Sequence, residues 1–165
     1  MSRAGKVLNL KLAVPGDVLG LSAVLSGAEY EVSAETIETS ALKSIARDQF
    51  LGFLNSNAEG GVLVAQRIAE DYRLALQDAC RLALSGSVVS RIAGILLDWG
   101  RAASNGKTEM RFNMAVSHTE LASFAGTSRE TVSRTLGKLR KNRTISIHGA
   151  NICILLPDTL AKLAS

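Results

Sequence analysis

Ser117-His118-Thr119-Glu120-Leu121-Ala122-Ser123-Phe124-Ala125-Gly126-Thr127-Ser128-Arg129-Glu130-Thr131-Val132-Ser133-Arg134-Thr135-Leu136-Gly137-Lys138-Leu139 is the stretch that decides the fold. Its first four residues match a capping box, in which a serine hydroxyl takes the N–H three residues on and a glutamate reaches back to the serine N–H. A short helix therefore starts there. Gly126 has no Cβ and can take the positive φ of a tight turn. Thr127-Ser128-Arg129-Glu130 offers a second capping box ahead of Val132, Leu136 and Leu139, whose spacing of 4 and 3 buries one helical face. Short helix, glycine turn and second helix make a helix-turn-helix, with Ala122 small where the two helices would cross.

The other face of the second helix, 128–139, presents Arg129, Glu130, Ser133, Arg134 and Lys138. Arginine donates bidentately to guanine O6 and N7, glutamate accepts from cytosine N4, and serine and lysine reach base edges or phosphate. Beyond the helix, Thr144 to His148 and Ile152 to Leu155 alternate around a Gly149-Ala150-Asn151 turn, as the hairpin of a wing would. Met110 to Met114 alternates as a further strand. Segment 127–143 carries Arg129, Arg134, Lys138, Arg140, Lys141 and Arg143 against Glu130 alone. Such a face suits phosphate. The plainer alternatives are a solvated basic surface and a Glu130 that only caps the helix or pairs with Arg134 at i,i+4.

The charge is unevenly divided. Residues 1–84 hold 8 Lys and Arg against 10 Asp and Glu, and residues 85–165 hold 11 against 5, so a net −2 is followed by a net +6. With 165 residues, 47% hydrophobic and 21% charged, the chain suits one globular domain or two small ones and is not disordered. No apolar run reaches the roughly 18 residues of a membrane span, and Met1 to Leu12 lacks the core of a secretion signal, so no membrane partner and a cytoplasmic location are expected. Cys80 and Cys153 lack metal-ligand spacing and read as small core residues. His118 and His148 fall in a helix cap and a wing strand, with no nucleophile or carboxylate arrangement around either. No enzyme, metal or cofactor is indicated.

Toward the N-terminus, Val7 to Val14, Val18 to Gly20 and Glu31 to Ile45 read as short strands separated by Pro15-Gly16-Asp17 and Ser26-Gly27 turns. Gly60 to Leu84 reads as one long helix. Its Ala65, Ile68, Tyr72, Ala75, Ala79 and Leu82 repeat at 3 and 4, the seam of a two-chain coiled coil, with small residues that let backbones approach. A single-chain core helix is the alternative. Ser85-Gly86-Ser87 is a hinge or cap, Val88 to about Arg101 a second amphipathic helix, and Ser104-Asn105-Gly106 a turn.

The run Gly126 to Leu136, followed by Ile145-Ser146-Ile147-His148-Gly149, resembles the C-terminal signature of the Crp/Fnr transcription regulators. The long helix is similar to that family's dimerisation helix, and Pro15-Gly16-Asp17-Val18-Leu19-Gly20 to the entry of its β-roll cassette. The resemblance implies an α+β fold: a partial, cyclic-nucleotide-binding-like β-roll over 1–57, a dimerisation helix and hinge over 58–86, and a winged helix-turn-helix over 87–165. It further implies a homodimer reading a palindrome of TGTGA-like or TTGAT-like half-sites in double-stranded DNA. Arg129, Glu130 and Arg134 would be base readers and Ser133 a base or backbone contact. Thr127, Ser128, Lys138 and Lys141 complete the expected DNA-binding set, and RNA polymerase is a further candidate partner.

The sequence also departs from the family. It begins within the expected β-roll, so either the start is misassigned or the sensor is half missing. Leu21-Ser22-Ala23 follows Gly20 where a ribose-binding Glu belongs, Tyr30 stands near the phosphate-binding Arg, and Glu29 and Glu31 would repel a phosphate. Leu76 and Gln77 stand where hydroxyls would meet a purine. Cyclic AMP is therefore not the expected effector, and no effector is assigned. No cysteine cluster could hold an iron-sulfur centre. A module for ligand or protein interaction, whose winged helix no longer binds DNA, is the competing function; an acidic or apolar recognition face would favour it.

Overall fold

The computed structural model describes residues 7–84, 86–104, 110–114 and 116–165. These form two compact units. One joins the described residues up to Lys11 to Asp78–Ser165; the other is Leu12–Gln77. The longest helix runs through the boundary.

In the C-terminal unit, α4 (Val88–Ser104) precedes β1 (Met110–Asn113), α5 (His118–Ala125), α6 (Arg129–Lys141), β2 (Ile145–His148), β3 (Asn151–Ile154) and α7 (Pro157–Ala164). The three strands form one antiparallel sheet in the order β1-β3-β2, with Ile145 and Met110 both opposite Ile154. Alternation places Ile152 and Ile154 on the covered side of β3, and both are buried. Ile92, Leu96, Leu121, Val132, Leu136, Ile145, Ile152 and Leu160 are fully enclosed, so α4, α5, α6, α7 and the sheet share one core. Trp99 of α4 meets Phe112 and Phe124 edge-on, at centroid distances of 6.3 and 5.6 Å. α4 lies close on the sheet because Gly100 has no side chain: a Cβ there would fall 2.7 Å from Ile154 Cδ1.

The N-terminal unit holds α1 (Leu21–Ser26), α2 (Arg47–Ser56) and most of α3 (Ala58–Leu84). Here the strand expectation is corrected. The stretches read as strands between Val7 and Ile45 form no ladder, and every strand among the described residues lies at Met110 or beyond. Their alternation is that of a sheet segment, but a ladder requires a neighbouring strand, and no described segment lies beside these as one. Residues 7–20 and 27–46 are therefore without helix or strand. Asp17 nevertheless has an anchor: its carboxylate takes Arg67 Nη2 at 2.5 Å, and Arg67 also pairs with Asp71 at 3.4 Å. That arrangement raises the guanidinium pKa, chiefly through the Asp17 hydrogen bond.

Cys80 is exposed and Cys153 half-buried, so neither is the core residue expected. The predicted features at Met1–Lys6, at Ser85 and at Asn105-Gly106 lie outside the described residues. Among the described residues, no helix is long and apolar enough to cross a membrane.

Candidate nucleic-acid interface

Both helix starts of the helix-turn-helix are set by hydroxyl caps. At α5 the capping box is complete: Glu120 N–H donates to Ser117 Oγ at 3.2 Å, and Ser117 N–H to the Glu120 carboxylate at 2.5 Å. At α6 the cap is Ser128, which accepts from the Thr131 N–H at 3.3 Å. The expected box beginning at Thr127 is therefore corrected by one residue. Adjacent hydroxyls can serve equally, and Thr127 is held in the turn instead, its N–H donating to Ala122 O at 2.9 Å.

Gly126 ends α5 with φ +58°, and its N–H also donates to Ala122 O. Ala122 is buried. A residue with no sequence signal supports the turn: Arg91 of α4 donates from Nε to Ala125 O at 2.8 Å, satisfying a carbonyl in the last turn of α5.

α6 has two chemically distinct faces. Val132, Thr135, Leu136 and Leu139 are buried, whereas Ser128, Arg129, Glu130, Ser133, Arg134, Lys138 and Lys141 are exposed. Thr127 is half-buried. The Glu130 carboxyl lies below the usual carboxylate range, held there by its own backbone N–H, by the Ser128 hydroxyl, and by Arg129 and Arg134. It is thus an ionised acceptor on a cationic face, and with Ser128 as the cap and Thr131 three residues on, Glu130 closes no capping box. His118 Nδ1 lies 2.8 Å from Ser133 Oγ, a link between the two helices that its position in a cap did not announce.

The wing is a two-residue hairpin, Gly149-Ala150 turning β2 into β3 with Gly149 at φ +61°. Its base is closed at Thr144, whose carbonyl accepts from Leu155 and Leu156 at 2.9 and 3.2 Å.

Along α3 no residue is buried. Ala65, Tyr72, Ala75 and Ala79 of the expected seam are exposed, and Ile68 and Leu82 are half-buried. Within the N-terminal unit, Leu25, Leu54, Val64, Ala65, Ile68 and Tyr72 line an open apolar groove of about 500 Å³. Among the described residues no group of three or more His, Cys, Asp or Glu side chains could hold a metal ion.

Residues 90–163 match a family model described as a Crp-like helix-turn-helix domain. The chain is 28% identical over 154 residues to the transcriptional activatory protein AadR of Rhodopseudomonas palustris, covering 93% of this chain and 63% of the relative. To the fumarate and nitrate reduction regulatory protein of Escherichia coli it is 27% identical, covering 90% and 59%. It thus spans roughly three fifths of these relatives' length. Among solved structures, FixK2 from Bradyrhizobium japonicum superposes with a TM-score of 0.65 at 20% identity, over 73% of this chain and 60% of that one, a likeness of fold.

Proposed function

We propose that this chain, which belongs to the Crp/Fnr family of transcription regulators, binds duplex DNA as a homodimer and reads each half of a palindrome with α6. The observation that carries the reading is the division of α6 into a buried apolar face and an exposed face of Arg129, Glu130, Ser133, Arg134, Lys138 and Lys141. Two arginines, a carboxylate and a hydroxyl on one face of a helix supply donors and acceptors for base edges; the lysines and the wing flank them toward phosphate. The family's members regulate transcription and are not enzymes, in keeping with the absence of any catalytic arrangement around either histidine in the sequence.

In this reading the described part of 1–57 belongs to an effector domain, 58–86 supplies the dimer seam and hinge, and 87–165 binds DNA. The seam residues Ala65, Ile68, Tyr72, Ala75, Ala79 and Leu82 would meet a second copy, which accounts for a long helix with no buried residue. Cyclic AMP is not the effector, because Glu29 and Glu31 stand exposed near the phosphate-binding position and Arg67 is engaged by Asp17 and Asp71. RNA polymerase is the partner through which bound protein would act on transcription. Selection of bound sequences from a random duplex pool tests the proposal. An enriched palindrome is expected; an unenriched pool would refute DNA reading, and a lone half-site would refute the dimer.

A further inference from the structure

His118 and Ser133 stand on different helices, yet their Nδ1 and Oγ atoms are 2.8 Å apart. His118 is half-buried at the first position of α5, and Ser133 is exposed on α6 between Glu130 and Arg134. A serine hydroxyl has one proton to give and two lone pairs to receive with. What Ser133 can offer a duplex therefore depends on what His118 takes. With a bare Nδ1, the serine proton goes to the imidazole, and Oγ faces outward with lone pairs alone. It then accepts from an amino group, adenine N6 or cytosine N4. With a hydrogen on Nδ1 the ring donates to Oγ, and the serine proton is free for N7, O6, O4 or a phosphate oxygen.

We propose that His118 is a positioning residue for sequence readout, fixing through this bond whether Ser133 acts toward DNA as acceptor or donor. The inference rests on the reading of α6 as the base-reading helix. A ring whose hydrogen is on Nε2 leaves Nδ1 bare, so Ser133 accepts from the duplex; a ring with a hydrogen on Nδ1 makes Ser133 a donor. The charged groups around the pair are Glu120 on α5, whose carboxylate is engaged by the Ser117 N–H, and Glu130, Arg129 and Arg134 on α6. Glu130 lies one turn before Ser133 and Arg134 directly after it, so groups of both signs flank the pair.

The test uses the full chain and the duplex selected from the random pool. Ser133→Ala identifies the base pair Ser133 reads, as the position where preference flattens. Affinities of wild type and the His118 variants are then compared for the four duplexes differing only at that pair. We expect the wild type to prefer one base there by about five-fold, the size of one neutral hydrogen bond. His118→Ala should flatten that position in the wild-type background and change nothing further in Ser133→Ala. His118→Asn places an amide near the former Nδ1, so it should keep a preference at that position. The proposal is overturned by a preference untouched by His118→Ala, by a Ser133→Ala protein with no flattened position, or by a His118→Ala effect that persists unchanged in the Ser133→Ala background. Failure of the wild type to discriminate among any duplexes would refute DNA reading itself. Intact discrimination at the other pairs with no effect of His118 refutes this inference alone.

Discussion

The same substitution at two glycines of the helix-turn-helix should move stability in opposite directions. Gly126 sits at φ +58°, where an L-residue brings its Cβ against the following carbonyl, at a cost of roughly 1–2 kcal/mol. Its added methyl would also lie 3.3 Å from Leu82 Cδ2, so that side-chain end must give by a few tenths of an ångström. Gly137 lies inside α6, exposed, with nothing within 4 Å of a built Cβ. Alanine there gains about 0.8–1 kcal/mol of helix propensity. Gly126→Ala should therefore destabilise by about 1–2 kcal/mol and Gly137→Ala stabilise by somewhat under 1. Trp99, the single tryptophan, packs between Phe112 and Phe124 in the same unit, so its fluorescence in urea reports this unit's unfolding. At a slope of about 1–2 kcal/mol per molar urea, the first midpoint falls by about 1 M and the second rises by about 0.5 M. Two shifts of the same sign and size would refute the left-handed turn and with it the crossing of α5 and α6.

Ala75→Glu adds a carboxylate that water can reach within one chain but that a coiled-coil seam would bury; sedimentation equilibrium should show wild type dimeric at micromolar concentration and the variant largely monomeric, and equal masses would remove the seam assignment. Asp78 has its pKa raised by burial, against the pull of Arg81 and with Asp98 raising it further. Its ionised form is therefore disfavoured in the fold, so Asp78→Asn should be at least as stable as wild type at neutral pH, with the difference shrinking as pH falls through the raised pKa; an advantage that grows in acid would contradict the sign. Titration calorimetry with cyclic AMP should give no saturable heat, and submicromolar binding would overturn the effector reading.

The helix-turn-helix was legible because its signals are local and redundant. Ser117 and Glu120 specify a start, Gly126 a turn, and Val132, Leu136 and Leu139 a buried face, all within 23 residues. The choice between Thr127 and Ser128 as cap was not legible, since both carry the required hydroxyl. α7 left a signal that went unread: Pro157 at the first turn, followed by Leu160 and Leu163 at helical spacing. Strands at 7–45 were expected from alternation, but pairing depends on a neighbour, which sequence periodicity does not supply. Arg91, which holds Ala125 O, and His118, which meets Ser133, are tertiary contacts across 34 and 15 residues, and no spacing rule reaches them.

The central claim is that α6 reads base sequence rather than merely carrying positive charge. The most direct measurement is the discrimination of the Arg134→Ala protein between the selected duplex and duplexes altered one guanine at a time, beside wild type and Lys141→Ala over a salt series. Arg134→Ala should lose about 1–3 kcal/mol of discrimination at one guanine. Lys141→Ala should keep that discrimination, bind every duplex more weakly, and lower the log-log salt slope by about one. An Arg134→Ala protein with wild-type discrimination at every guanine would contradict the account.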